Sequence, residues 1–237
     1  MGAAIGSVLR ERGTEVLWAS SGRSPDTARR AQQAGLSDVG AVEEVARSAD
    51  VILSVCPPHA AHDVARSVSG FDGVYMDANA VAPATVREIA RGFTRFVDAG
   101  IVGSPPVSSP THVYVSGRDA ERVASLFDGT LVEVRVVSDR IGDASAVKAT
   151  YAAWTKGTAA LLLAIRDVAR AEGVEDVLLA EWRESLPDVE GRLGAAERSA
   201  ARKGWRWVAE MEEIAATFAA AGQPDGFHQA AADVFRR

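Results

Sequence analysis

Small and apolar residues lead the chain: Gly2, Ala3, Ala4 and Gly6 run into Val8 and Leu9, then charges and Gly13 follow. This pattern predicts a helix from residue 2 that stops at Gly13. Val16-Leu17-Trp18-Ala19 is a short apolar run of strand type. Ser24-Pro25-Asp26, with Ser as N-cap, Pro at the first helical position and Gly35 as stop, predicts the next helix. Residues 43–48 predict a short helix. "ADVILSVCPP" is a continuous apolar run, as in a strand buried on both faces. "GVYMDANAVAP" predicts a strand ending at Asp77 and Asn79, with Pro83 opening a helix. "RFVDAGIVGS" is a further strand running into Gly103, and "THVYVSG" and "LVEVRVV" are the last two, separated by a helix over 119–127. Strands alternating with helices imply a largely parallel, doubly wound sheet.

The period changes at Gly142. From there to Gly173 apolar residues recur every three or four positions, which predicts one long helix. The remainder is helical, with breaks expected near Pro187, at Gly191–Gly194 and at Gly222–Gly226. The expected fold is therefore α/β: a doubly wound sheet over residues 1–139, then an all-helical domain over 140–237.

Composition narrows the partners. Apolar residues make up 47% of 237, enough for a sizeable core. A formal net charge of −6 argues against a dedicated binder of nucleic acid or of an anionic membrane, since phosphate contacts need a basic face. No apolar run reaches membrane-spanning length. One cysteine, Cys56, excludes a disulfide framework and fits a reducing cytoplasm, where the protein is expected. Only Lys148, Lys156 and Lys203 stand against 23 arginines. A lysine kept in so Arg-rich a chain is a candidate for chemistry Arg cannot do, such as giving up a proton.

Helix followed by strand is the second half of a βαβ unit. In dinucleotide-binding, Rossmann-like folds a first strand runs into G-x-G-x-x-G at a helix N-terminus, where backbone N–H groups and the helix dipole hold the pyrophosphate. Gly2 stands where the last of those glycines would be. The first strand is then missing, and the expectation is a chain truncated upstream of Met1. The tip of the following strand selects the cofactor: an acid suits NAD, an Arg the 2′-phosphate of NADP. Ser20, Ser21 and Arg23 stand there. NADP is expected ahead of NAD.

These residues resemble the β-hydroxyacid dehydrogenase superfamily, which includes 3-hydroxyisobutyrate dehydrogenase, 6-phosphogluconate dehydrogenase and the imine reductases. "MGAAIGSVLRERG" resembles the end of its glycine turn and first helix. "ADVILSVCPP" resembles its strand ending in a proline beside the nicotinamide, which implicates Cys56 and Pro57. "DANAVAP" resembles D-x-S-T-x-x-P, with Asn79 and Ala80 at the Ser-Thr positions. "DAGIVGS" resembles the substrate loop D-A-P-V-S-G-G, with Asp98, Ala99 and Gly103 kept and Val102 at the serine. "GDASAVK" resembles G-x-G-x-x-x-K, with Ala144 at the second glycine and Lys148 in register with the general acid/base. An Asn that usually follows is here Ala152.

The resemblance implies hydride transfer between nicotinamide and a small carbonyl, hydroxyacid or imine substrate, with Lys148 moving the proton. Tyr151 either stands in for the absent Asn, donates the proton itself, or is an aromatic core residue. Gly103, Ser104 and Trp154 are assigned to the substrate, and Asn79 to the cofactor side with substrate contact open to it. The departures at Val102, Ala144 and Ala152 leave room for a nucleotide-binding sensor or scaffold without catalysis. The resemblance and the alanine-rich long helix imply a homodimer through the helical domain. His59 and His62 have H-x-x-H spacing but no third ligand near in sequence, and read as a solvated helix start rather than a metal site. His228 stands open between the cleft and a partner subunit. "RKGWRWVAEMEE" reads as one packed amphipathic helix.

Overall fold

The alternation forms as α1 (Gly2–Glu11), β1 (Leu17–Trp18), α2 (Pro25–Gln33), β2 (Ser37–Asp38), α3 (Val42–Ser48), β3 (Val51–Ser54), α4 (Ala61–Ser67), β4 (Val74–Asp77), α5 (Pro83–Ala90), β5 (Phe96–Val102), β6 (Thr111–Ser116), α6 (Ala120–Ser125) and β7 (Val132–Ser138). The structure is a computed structural model describing residues 1–237. It parts into two compact units, Met1–Lys148 and Ala149–Arg237.

In the first unit β1 and β2 pair in parallel, and β3-β4-β5-β6-β7 form a separate five-stranded sheet. Strand β6 runs antiparallel to β5, while the other pairs are parallel. The connection 103–110 explains the reversal, because a parallel crossover needs a dozen residues or more. One sheet face packs Val97, Ala99, Val113 and Val115 against Ile5, Val8 and Leu9 of α1 and Val123 and Phe127 beside α6. The other face packs Ile52 and Tyr75 against Val86 and Ile89 of α5, with Tyr75 stacked on Phe93 at 4.2 Å. Ser24 caps α2 as expected, its Oγ accepting the Thr27 amide at 3.3 Å.

Strand register sets a polar row across this apolar sheet. Ser54 pairs with Asp77, Asp77 with Asp98, and Asp98 with Ser116. All four are buried. A row of buried polar side chains requires hydrogen-bond partners, and these lie at the candidate site.

Helix α7 (Asp143–Ala171) starts in the first unit and ends in the second. The second unit continues with α8 (Glu175–Ser185), α9 (Asp188–Lys203), α10 (Trp207–Ala220) and α11 (Gly226–Arg236). Two expectations are corrected here. The break at Gly191–Gly194 does not occur: α9 runs through both glycines, a cost of about 1 kcal/mol each relative to Ala, with Leu193 and Ala196 buried on its inner face. The predicted single helix across "RKGWRWVAEMEE" is interrupted by a 3₁₀ turn at Gly204–Arg206. The turn leaves Trp205 exposed, while Trp207 packs edge-on against Phe235 at 5.0 Å. His228 is buried in this unit, edge-on to Phe218 at 4.4 Å, and burial holds its pKa below the usual range.

Candidate active site

The C-terminal ends of parallel strands are where open α/β sheets bind ligands. Here β3 ends at Ser54 and β4 at Asp77, and Asn79 ties the two ends together. Its Oδ1 accepts the Cys56 amide at 2.6 Å, its Nδ2 donates to Ser54 Oγ at 3.0 Å, and its own amide donates to Asp77 Oδ1 at 2.9 Å. Asn79 is buried and both ends of its side chain take part in this bracing, so it shapes the strand ends that the resemblance gave to the cofactor. Helix α1 begins beside them: a Cβ at Gly2 would lie 3.5 Å from Val55 Cβ. Cys56 is half-buried and packs against the apolar cluster that includes Ile52 and Tyr75, and burial pushes its thiol pKa up; the Arg23 charge acts on it weakly in the opposite sense. Arg23 is exposed and lies within electrostatic range of that strand end. Pro57 is exposed just beyond.

One acid in this region escapes the linear reading. Asp38, on β2, pairs with Trp18 of β1 and is bonded by the Gly40 amide at 2.9 Å and by Ser20. These bonds hold its carboxyl below the ordinary range. Ser20 is thus committed to Asp38, and the amide of Ser21 to the Gly40 carbonyl at 2.9 Å. A two-residue strand carries no periodicity, so only the pairing of β2 with β1 reveals this carboxylate.

Asp98, matched in sequence to a substrate loop, turns away from substrate duty. Its Oδ2 accepts Ser116 Oγ at 3.0 Å, the Gly142 amide at 2.9 Å and the Ser145 amide at 3.0 Å, and its Oδ1 accepts Ser145 Oγ at 2.6 Å. The Ala144 amide donates to Ser116 Oγ at 3.1 Å. Amides at the start of α7, which have no helical carbonyl to bond, are therefore satisfied by β5 and β6. Burial still pushes the Asp98 pKa up, against these bonds. Asp77 beside it is pushed up to about 6, by burial first and partly by the Asp98 charge.

Gly142 carries a φ of +102°, a left-handed conformation that suits glycine, and Arg87 lies across it, donating to the Ile141 carbonyl at 3.0 Å. Lys148 follows on the second turn of α7, half-buried, with its stem over Gly100 of β5: a Cβ at Gly100 would stand 2.7 Å from Lys148 Cβ and 2.8 Å from the Ala144 carbonyl. Gly103 takes a φ of +117°. Ser104 is exposed, and its carbonyl accepts Thr111 Oγ1. Tyr151 and Trp154 belong to the second unit and are 49% and 67% exposed, so neither is a core residue. His59 lies in a 3₁₀ turn at Pro58–Ala60, and His62 Nε2 is 4.0 Å from Glu88 Oε2.

Residues 1–76 match the family described as NADP oxidoreductase coenzyme F420-dependent, and residues 169–237 match a domain of unknown function, DUF1932. The conserved protein MTH1747, of unknown function and reported as structurally similar to 3-hydroxyacid dehydrogenases, is 30% identical; the alignment covers 99% of this chain and 91% of that one, with a TM-score of 0.72. The chain belongs to the β-hydroxyacid dehydrogenase superfamily. A 28.5 kDa protein of Methanothermus fervidus, also uncharacterised, is 29% identical over 75% of this chain and 69% of its own length. The 3-hydroxyisobutyrate dehydrogenase of Mycobacterium tuberculosis, at 15% identity, shares the superfamily fold over 100% of this chain and 89% of that one, with a TM-score of 0.74. No helix is long and apolar enough to cross a membrane.

Proposed function

We propose that this chain is an NADP(H)-dependent oxidoreductase acting on a small carbonyl, hydroxyacid or imine, with Lys148 handling the proton. The observation that supports this most is Lys148 itself, fixed above Gly100 on the strand next to the one braced by Asn79. The strand ends fit a dinucleotide. Gly2 opens a helix N-terminus beside Val55, as a phosphate needs. Arg23 is exposed, while the competing Asp38 carboxylate is occupied by Ser20 and the Gly40 amide. Bound there, the nicotinamide supplies or takes up the hydride. In the reducing direction, Lys148 gives a proton to the oxygen or nitrogen that receives the electron pair; in the oxidising direction it takes one back. Gly103, Ser104 and Trp154 are the residues assigned to substrate, and Tyr151 is the second proton-handling candidate beside Lys148.

Quenching of the five tryptophans by added NADPH and NADH tests the cofactor reading. NADPH is expected to bind more tightly, and Arg23→Ala to cost about tenfold or more in NADPH affinity, since charge-assisted bonds to phosphate are worth about 1.5–3 kcal/mol. The NADH affinity should stay unchanged. Equal affinities in the parent protein would overturn the NADP preference, and no binding by a folded chain extended upstream with the strand and glycine turn that the resemblance implies would overturn the site.

A second reading, nucleotide binding without catalysis, is favoured by Ala152. It stands at the family's Asn position and is buried in an apolar cluster with Ala149, Met211 and Ile214. NADPH oxidation across a panel of keto acids and cyclic imines separates the two readings: turnover of any member rejects the second.

The reading includes a cytoplasmic homodimer formed through the helical unit. Leu161 and Val168 of α7 are 60% and 62% exposed, seven residues apart and so on one helix face. A second copy is the expected cover. Light scattering should give twice the 24.9 kDa chain mass, and a monomer at micromolar concentration would count against it.

A further inference from the structure

We propose that Asp98 is a positioning residue for Lys148, acting through Ser145 and the first-turn amides of α7, with Gly100 setting how closely the lysine stem approaches the sheet. The proposal rests on the reading of Lys148 as the proton-handling group, and its test keeps the two apart.

Four hydrogen bonds converge on the Asp98 carboxylate, and three of them come from the start of α7: the Gly142 amide, the Ser145 amide and Ser145 Oγ. The fourth, from Ser116 Oγ, recruits β6, and the same Ser116 Oγ accepts the Ala144 amide. The start of the helix is thus held at three positions, Gly142, Ala144 and Ser145, by side chains of two neighbouring strands. A carboxylate suits this place twice over: it accepts without needing to donate, and its charge faces the positive end of the helix dipole. Asn would present an NH₂ group where Oδ2 now accepts three donors, or would give up the Ser145 hydroxyl bond in the other orientation. Lys148 lies three residues after Ser145, so on a helix it rides almost directly above it. The clearance comes from Gly100. Any side chain there would meet Lys148 Cβ and the Ala144 carbonyl. Asp98 and Gly100 lie two apart on β5 and so face the same side, one gripping the helix start and the other receiving it.

Having only three lysines makes the test residue-specific. Acetylation with an N-hydroxysuccinimide ester, followed by peptide mass spectrometry, gives separate rates for Lys148, Lys156 and Lys203 in one sample. Asp98→Asn and Ser145→Ala should each change the Lys148 rate by at least about threefold and leave the other two rates within error, and Ser145→Thr, which keeps the hydroxyl, should restore it. Gly100→Ala should change the Lys148 rate as well. A Lys148 rate that is unchanged, or that moves in step with those of Lys156 and Lys203, overturns the proposal, the second outcome meaning general loosening. With a turned-over substrate from the panel, Asp98→Asn should lower kcat about 10- to 100-fold at unchanged NADPH affinity, the scale expected for a misplacement near 1 Å. If Lys148→Met leaves turnover intact, the proton reading fails, while the acetylation rates still decide whether Asp98 positions the lysine.

Discussion

Lys148→Met is expected to lower NADPH-dependent turnover by about 10²–10⁴-fold, the range a positioned acid or base contributes, with NADPH affinity unchanged. Methionine keeps an unbranched stem of similar length. Its Cβ can lie over Gly100 as the lysine Cβ does, so the substitution removes the proton and spares the packing. The cofactor side should not notice it, because Asn79 braces Cys56, Ser54 and Asp77, and none of these bonds involves α7. Turnover followed by NADPH absorbance and affinity followed by tryptophan quenching are read on the same preparation. A drop in both would point to a disturbed fold. Unchanged turnover would sink the role of Lys148.

The second large effect concerns stability and pH. Asp77 is buried, its Oδ1 accepts the Asn79 amide, and no protein group bonds its Oδ2. Burial raises its pKa from 3.8 to about 6. The folded chain therefore holds a proton that the unfolded chain has lost between those two values. The unfolded state binds fewer protons there, so stability falls as pH rises from about 4 to about 6 and stays lower above. The loss from this one group is about 3 kcal/mol. Asp77→Asn keeps a carbonyl for the Asn79 amide and cannot ionise. Urea unfolding at pH 4 and pH 7 should show a smaller fall in the variant than in the parent, making the variant the more stable of the two at neutral pH. Asp98 is raised in the same direction and persists in both proteins, so the difference between them reports Asp77 together with its coupling to Asp98. Parallel pH dependences would reject the buried-carboxyl account.

Long elements with caps were legible in the chain. Ser24-Pro25 began a helix, Pro83 began another, and the 3.6-residue period after Gly142 became a 29-residue helix. What escaped was whatever depends on partners distant in sequence. The two residues of β2 have no pattern of their own, and with them went Asp38. The direction of β6 followed from the length of a connection, not from the strand's composition. Glycines misled at α9, where packing around Leu193 outweighed propensity. In the site, Lys148 was found from its register in a motif. Asp98 belonged to a matched motif too, yet its work is invisible without the fold, because its partners lie at 116, 142 and 145.

The bonding of α7 also determines which part of the molecule its first turn unfolds with. The amides of Gly142, Ala144 and Ser145 end on side chains of β5 and β6, not on helical carbonyls. Loss of helical hydrogen bonds alone does not release them; the first turn has to part from the β5 and β6 side chains that hold it. In an amide-exchange experiment these three hydrogens would decay with the sheet and not with the rest of the helix. Lys148 is thus expected to open with the β-sheet domain, so that a single continuous helix would be divided between two foldons near the residue that the chemistry needs.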